Sequence, residues 1–212
     1  MIHLATTQSI QKLPANTFNK LLRDLPQVLQ NQILRYRKWE DQQRSLLGKV
    51  LLSTALKTTG FFSYSLHDLK FTSLKKPYFD DVLDFNISHS GDYVVCAISN
   101  TNKVGLDVEQ IKNVPFTDFK INFTDSEWED VLTTDNSLET FYKLWTRKEA
   151  FLKAIGMGLY IPLNQVVIAE NKISWDRKEW FLREVRIDPH YSCHLCTDTS
   201  SPAIILERLD FK

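Results

Sequence analysis

Two carboxylates, Asp107 and Glu109, stand two residues apart in the alternating phrase Val104-Gly105-Leu106-Asp107-Val108-Glu109. On a β-strand this spacing places both acids on one face and the apolar Leu106 and Val108 on the other. At a separation of about 6 Å and an effective dielectric constant of about 20, the two charges repel each other by roughly 3 kcal/mol. Such a pair is typical of a solvated edge strand, and by itself it favours that interpretation, but it also fits a site that binds a cation.

A second group of reactive side chains lies further along the chain. Glu149 precedes Lys153 by four residues in a helical pattern, so both side chains lie on one flank beside the apolar stripe of the helix. His89 falls where an earlier predicted strand ends, a position at which α/β proteins often place ligand groups. Taken singly, the helical pair indicates a surface ion pair and the histidine a structural residue.

Composition restricts the classes of protein to consider. The 212 residues carry 26 Lys and Arg against 26 Asp and Glu, so no overall positive field indicates nucleic acid or an anionic membrane as a partner. The first residues lack the basic flank and long apolar run of a signal peptide or a spanning segment, and the three cysteines are too few for a disulfide framework. We therefore expect a cytoplasmic enzyme or binding protein. We also expect a monomer, although composition does not determine the oligomeric state.

The elements that must position these residues follow from hydrophobic periodicity and capping residues. The predicted helices span about 16–25, 27–38, 40–59, 125–132 and 137–155, the fourth with a capping box at Thr124 and Glu127 and the last closed by Gly156. The predicted strands cover residues 2–7, 83–90, 92–99, 104–109, 165–170, 180–187, 191–197 and 203–209. A weak sequence similarity between residues 91–98 and residues 189–196 predicts two similar α+β halves joined near residues 100–104.

Together the motifs closely resemble, in order and spacing, the 4′-phosphopantetheinyl transferases of the surfactin-synthetase-activating type. Arg44-Ser45-Leu46-Leu47-Gly48 and Lys76-Pro77 are similar to upstream elements of that family. The resemblance covers roughly residues 35 to 165. It is carried by Phe85-Asn86-Ile87-Ser88-His89-Ser90, by Val104-Gly105-Leu106-Asp107-Val108-Glu109 and by Trp145-Thr146-Arg147-Lys148-Glu149-Ala150-Phe151-Leu152-Lys153.

The resemblance implies an α+β fold of two pseudo-symmetric α/β halves with the active site at their junction. Residues 1–103 would form the N-terminal half with the coenzyme A nucleotide contacts, and residues 104–212 the half with the magnesium-binding strand and the catalytic helix. The implied reaction moves the 4′-phosphopantetheine arm of coenzyme A to a serine of an apo acyl, peptidyl or aryl carrier protein. The products would be the holo carrier and adenosine 3′,5′-bisphosphate.

The same resemblance implies roles for individual residues. Mg²⁺ would be held by Asp107, Glu109 and Glu149, and the catalytic residues would be Glu149, Lys153 and Asp107. Oxygen ligands of this kind suit Mg²⁺, which also takes water and substrate phosphate oxygens. Coenzyme A, the substrate, would be contacted by Arg44, Lys75, Lys76, Ser88 and His89.

The sequence departs from the family pattern at some positions, and it also leaves alternative functions open. Leu29 and Gln32 stand where some relatives carry lysines that help grip the 3′-phosphate of coenzyme A. The apolar residues of the segment 114–123 fit either a carrier-docking patch or a part of the core. The alternative functions are a catalytically silent binding module for coenzyme A or carriers, a Mg²⁺-dependent phosphodiester hydrolase and, less favoured, a hydrolase built on Ser88, His89 or Ser90.

Overall fold

The structure, a computed structural model, describes residues 1–211, with only the backbone of Leu159. The α-helices within these residues are α1 (Ala15–Arg23), α2 (Gln27–Leu34), α3 (Trp39–Thr58), α4 (Asp125–Thr133) and α5 (Ser137–Ile155). The strands are β1 (Ile2–Gln8), β2 (Lys70–Phe71), β3 (Pro77–Tyr78), β4 (Asp84–Ser90), β5 (Tyr93–Ser99), β6 (Val104–Gln110), β7 (Lys172–Trp175), β8 (Lys178–Glu184), β9 (Tyr191–Thr197) and β10 (Ile204–Arg208). The predicted α+β class is confirmed, and none of the helices described is long and apolar enough to cross a bilayer.

The chain divides into two compact units. The first comprises Met1–Thr101 and the C-terminal residues from Ala203 onward, and the second comprises Asn102–Pro202. The predicted C-terminal half, residues 104–212, differs from the second unit at its end because β10 pairs in parallel with β1 of the first unit. The functions assigned to the two halves, and the position of the active site relative to them, stay predictions.

The first unit is a four-stranded sheet covered by helices. The strand order is β10-β1-β5-β4, in which β1 and β10 run parallel and the other neighbours antiparallel. Strand β5 is buried along its whole length, as expected for a central strand with an almost continuous apolar run. Helix α3 packs on the sheet and, with α1 and α2, encloses a core that includes Leu46, Leu51, Phe85 and Ile98.

The second unit is an antiparallel sheet with the order β6-β9-β8-β7. Helix α5 packs across β6 and β9, and α4 packs on α5. Thr124 and Glu127 form the predicted capping box at the start of α4. Gly156 ends α5 in the left-handed conformation with φ 75°, which glycine adopts at low cost.

A close approach of α5 to β6 occurs at Gly105. A Cβ built at this position would collide with the backbone of Ala150 and would lie 2.8 Å from the Cα of Ala154. Only glycine therefore lets helix and strand backbones come this close. The glycine of the alternating phrase is thus a packing requirement of the second unit.

The prediction of a strand over residues 165–170 is wrong. Leu163–Gln165 forms a 3-10 turn, and the strand β7 begins only at Lys172. Val166 is fully buried with the core of the second unit, while Glu170 adopts a positive φ of 56°. In the sequence, a short apolar run whose side chains pack into the core from a turn has the same pattern as a buried β-strand. Hydrophobic periodicity therefore does not distinguish the turn from the strand. The second helix also ends earlier than predicted, at Leu34.

Lys148, inside the motif of α5, has a structural role. Its side chain is fully buried, and Nζ donates to Glu127 Oε2 at 2.7 Å and to the carbonyl oxygen of Leu163 at 2.9 Å. Burial lowers the pKa of Lys148, whereas the adjacent Glu127 opposes that shift. The capping carboxylate of α4 therefore also neutralises a cation of α5 and joins the two helices.

Glu127→Gln should destabilise the protein by about 2–3 kcal/mol, because the Lys148 ammonium would stay buried without its counter-charge. The free energy of unfolding from urea titration measures this effect. Glu129→Gln, at an exposed position of the same helix, is the matched control and should change stability by less than about 0.5 kcal/mol. Equal stabilities of the two variants would show that Lys148 is not charged in the folded protein.

Candidate active site

Four of the predicted site residues lie together on β6 and α5 of the second unit. Asp107 and Glu109 alternate with buried apolar residues on β6, and they share the face of Gly105, over which α5 passes. Glu149 and Lys153 lie one turn apart on α5. The antiparallel sheet and its covering helix thus bring three carboxylates and one ammonium into one neighbourhood.

Asp107 and Lys153 are in direct contact within this group. Lys153 Nζ donates to Asp107 Oδ1 at 2.5 Å, and only 4% of the Asp107 side chain is exposed against 28% for Lys153. An ionised carboxylate with so little access to water requires a compensating charge. The lysine supplies that charge from the helix, although the two residues are far apart in the sequence.

The environment of Glu149 shows how crowded the acids are. Burial raises its pKa above the usual range, Asp107 and Glu109 raise it further, and Lys153 acts in the opposite direction. A carboxyl group with a raised pKa is a better proton acceptor at neutral pH than an ordinary surface glutamate. Its position therefore suits a general base.

The fit of these residues to a metal ion can be judged from their chemistry. No group of three or more His, Cys, Asp and Glu side chains among the described residues has the geometry of a ready metal site. Asp107, Glu109 and Glu149 nevertheless supply only hard oxygen donors. The negative charges of Asp107 and Glu109 raise the pKa of Glu149, and a bound cation would offset this repulsion. Mg²⁺ needs few protein ligands because it retains water and binds substrate phosphates. The donor set fits Mg²⁺, and the magnesium prediction stays a prediction.

Polar contacts that sequence reasoning missed hold α5 on the sheet beside the acids. Thr146 Oγ1 lies 2.9 Å from Ser192 Oγ and 2.8 Å from His194 Nδ1. In the sheet Asp107 is paired with His194 and Glu109 with Ser192. Burial, with the nearby cations Arg147 and Lys143, lowers the pKa of His194 to about 3, so its imidazole is neutral at neutral pH. No pattern in the sequence links α5 to β9, since the link depends on the pairing of β6 with β9.

A cavity of about 190 Å³ in the first unit contains two of the residues predicted to bind coenzyme A. Arg44 and His89 both line it. Arg44 Nη2 donates to Asp41 Oδ1 at 2.7 Å, and Nη1 donates to the carbonyl oxygen of Gly91 at 2.9 Å, which fixes the guanidinium. The lining also contains Gln32, which the sequence analysis placed where some relatives carry a lysine. Sequence reasoning did not assign the remaining polar residues of the lining to a site, namely Ser45, Lys49 and Asn86.

The other three predicted coenzyme A contacts do not belong to the lining of this cavity. Lys75 has a positive φ of 65° in the turn before β3, and Lys76 Nζ lies 3.4 Å from Asp84 Oδ1. Ser88 is buried on β4, and strand alternation directs it to the face opposite His89. Their assignment to coenzyme A remains a prediction.

The apolar segment 114–123 is only partly buried, and of its apolar side chains Phe123 alone belongs to the buried core. The rings of Phe116, Phe119 and Phe123 all pack within 6 Å of the Phe141 ring, with centroid distances of 5.4, 5.7 and 5.6 Å. Ile121, by contrast, is 78% exposed. Phe123 is therefore core, Phe119 and Ile121 are exposed, and the interpretation as a carrier-docking patch stays a prediction.

Comparison with known proteins gives consistent matches along the chain. Residues 103–204 match the family described as the 4′-phosphopantetheinyl transferase superfamily, and residues 14–101 match the family described as 4′-phosphopantetheinyl transferase, N-terminal. The chain is 31% identical over 209 residues to "4′-phosphopantetheinyl transferase gsp" of Aneurinibacillus migulanus, covering 95% of this chain and 88% of that protein.

Two further relatives show similar identity over shorter spans. "4′-phosphopantetheinyl transferase Sfp" of Bacillus subtilis (strain 168) is 31% identical over 175 residues, which cover 76% of this chain and 77% of the relative. "L-aminoadipate-semialdehyde dehydrogenase-phosphopantetheinyl transferase" of Homo sapiens is 34% identical over 134 residues, which cover 51% of this chain and 43% of the relative.

Proposed function

The chain belongs to the 4′-phosphopantetheinyl transferase superfamily, and from this premise we propose that it loads apo carrier proteins in a Mg²⁺-dependent reaction that releases adenosine 3′,5′-bisphosphate. The family resemblance expected from the sequence motifs is confirmed. The protein is therefore a transferase that uses coenzyme A and passes its phosphopantetheine group to a carrier protein. The metal, the second product and the residue roles are the proposed part, as are the cytoplasmic location and the monomeric state.

The observation that carries the proposal is the group of Asp107, Glu109, Glu149 and Lys153 on β6 and α5 of the second unit. Bound Mg²⁺ would neutralise charge on the pyrophosphate and on the departing nucleotide phosphate. Asp107, Glu109 and Glu149 would hold it. The Lys153 ammonium, already placed by Asp107, would stabilise negative charge on the phosphate oxygen that leaves.

Glu149 is the proposed acceptor of the proton from the carrier serine, either directly or through a water molecule. The serine oxygen would form the new bond to the phosphorus atom of the phosphopantetheine arm, and the bond between that phosphorus and the bridging oxygen would break. The leaving oxygen takes the electron pair and becomes part of adenosine 3′,5′-bisphosphate. Burial and the two neighbouring acids, which raise the pKa of Glu149, support this assignment.

Glu149→Gln should reduce the turnover of carrier loading by about 10²-fold at saturating Mg²⁺, because the amide keeps the shape of the side chain but does not accept the proton. The measurement is the initial rate of holo-carrier formation. Glu139→Gln, at an exposed position of the same helix, should retain the activity of the unaltered protein. Near-normal turnover of the Glu149→Gln variant would exclude the role as base.

The overall function is tested by incubating the protein with coenzyme A, Mg²⁺ and apo carriers from fatty acid, polyketide and nonribosomal peptide synthesis. We expect at least one carrier to gain the mass of one phosphopantetheine arm, and chelation of Mg²⁺ to prevent the gain. Failure with all carriers would instead support a silent binding module. Cleavage of coenzyme A without any carrier would support a phosphodiester hydrolase.

A further inference from the structure

Lys49 is a cation of the first unit that has no assigned role. It lies on α3, its side chain is half-buried, and it lines the 190 Å³ cavity together with Arg44 and His89. Within residues 1–211 it forms no ion pair or hydrogen bond through its ammonium group. A lysine that is partly withdrawn from water without a counter-charge costs free energy, so a ligand that supplies the charge would relieve that cost.

The electrostatics of Lys49 agree with this description. Burial lowers its pKa below the usual range and is the one cause of this shift among the described residues. The buried Lys148 provides the contrast, since Glu127 raises its pKa while burial lowers it. Lys49 is therefore poised to gain a negatively charged partner that the described part of the chain does not provide.

The walls of the cavity indicate what this partner is. Three basic side chains, Arg44, Lys49 and His89, line the cavity, and no Asp or Glu belongs to its described lining. Arg44 already donates to Asp41 and to the carbonyl oxygen of Gly91. The rings of Phe71 and Phe85 and the amides of Gln32 and Asn86 complete the wall. Basic groups select phosphate, while aromatic and amide groups suit a base or a sugar.

We propose that Lys49 binds a phosphate group of the coenzyme A nucleotide in this cavity, as a binding residue in addition to Arg44 and His89. The inference rests on the proposed function, since it takes the nucleotide of coenzyme A as the ligand of the first unit. A phosphate supplies up to two negative charges and several acceptor oxygens to the lysine ammonium. It therefore provides the counter-charge that Lys49 lacks.

The test compares Lys49→Met, which keeps the apolar stem and removes the charge, with Lys49→Arg, which keeps a charge. Lys57→Met, at an exposed position of the same helix and outside the cavity lining, is the matched control. Isothermal titration with adenosine 3′,5′-bisphosphate and with adenosine measures binding without any turnover. Thermal unfolding of each free variant verifies the fold.

We expect Lys49→Met to weaken the binding of adenosine 3′,5′-bisphosphate at least about tenfold and to leave adenosine binding unchanged. Lys49→Arg should recover part of the loss, and Lys57→Met should behave as the unaltered protein. If Lys49→Met left the affinity for the bisphosphate unchanged, or weakened the binding of adenosine to the same extent, the role of Lys49 would be overturned. The proposed function would not be affected by either result. If the unaltered protein bound neither the bisphosphate nor coenzyme A, the proposed function would fail together with the role of Lys49.

Discussion

Asp107→Asn should reduce the rate of carrier loading by about 10³-fold while the protein remains folded. The substitution replaces a proposed anionic ligand of Mg²⁺ with a neutral amide, and it removes the negative charge that holds the Lys153 ammonium at 2.5 Å. The loss of one preorganised electrostatic contact alone typically costs about 10²–10³-fold in turnover. Two such functions depend on Asp107, so we expect the upper end of this range.

The fold should survive because Asn is isosteric with Asp and because the Lys153 side chain, 28% exposed, can be hydrated once its partner is neutral. The loss of a crowded negative charge also relieves repulsion with Glu109 and Glu149 in the metal-free protein. Turnover is measured by holo-carrier formation and stability by urea unfolding. Asp198→Asn, at an exposed position of the same unit, controls for a general change in charge. An Asp107→Asn variant that is fully active, or one that unfolds, would contradict the proposed role.

Gly105→Ala should destabilise the protein by about 3 kcal/mol or more and abolish most of its activity. The new methyl group would collide with the backbone of Ala150 and Ala154 on α5, and backbone atoms cannot move aside as a flexible side chain can. Overpacking typically costs about 1–3 kcal/mol, and a clash with helix backbone belongs at the upper end. Any relief requires α5 to move away from β6, which separates Glu149 and Lys153 from Asp107.

Gly48→Ala is the informative comparison for this second variant. Its added Cβ would lie 2.9 Å from the Ile87 Cγ2 methyl, a side-chain atom, and Ala gains about 1 kcal/mol over Gly inside a helix. We therefore expect a much smaller change in the free energy of unfolding than for Gly105→Ala. Equal stabilities of the Gly105→Ala variant and the unaltered protein would show that α5 does not approach β6 as closely as described.

Much of the local structure could be predicted because it depends on neighbouring residues. The capping box of Thr124 and Glu127, the glycine that closes α5 at residue 156 and the buried strand β5 act over a few positions of the chain. The strand predicted over residues 165–170 failed for the opposite reason. There the apolar side chains pack around a turn against the core of the second unit, and this arrangement depends on distant residues.

The same distinction holds for the candidate site, where the residues could be predicted from the sequence but the contacts between them could not. Asp107, Glu109, Glu149 and Lys153 were found from their motifs, but their mutual contacts were not. Sequence reasoning treated Glu149 and Lys153 as a pair by themselves, whereas the structure pairs Lys153 with Asp107. The contacts of Thr146 with Ser192 and His194, and the place of Lys49 in the cavity, had no recognisable signal.

The sequence by itself determined the family and the chemical class of the reaction, and it supplied the four candidate site residues of β6 and α5, because these lie in short motifs of adjacent residues. Only the tertiary structure decided which charges meet. Asp107 and Lys153 are 46 residues apart and contact each other because Gly105 lets α5 lie directly on β6. Glu127 and Lys148 are 21 residues apart and pair because α4 packs on α5. A buried charge is stable only beside its partner, and packing between distant elements determines which partner that is.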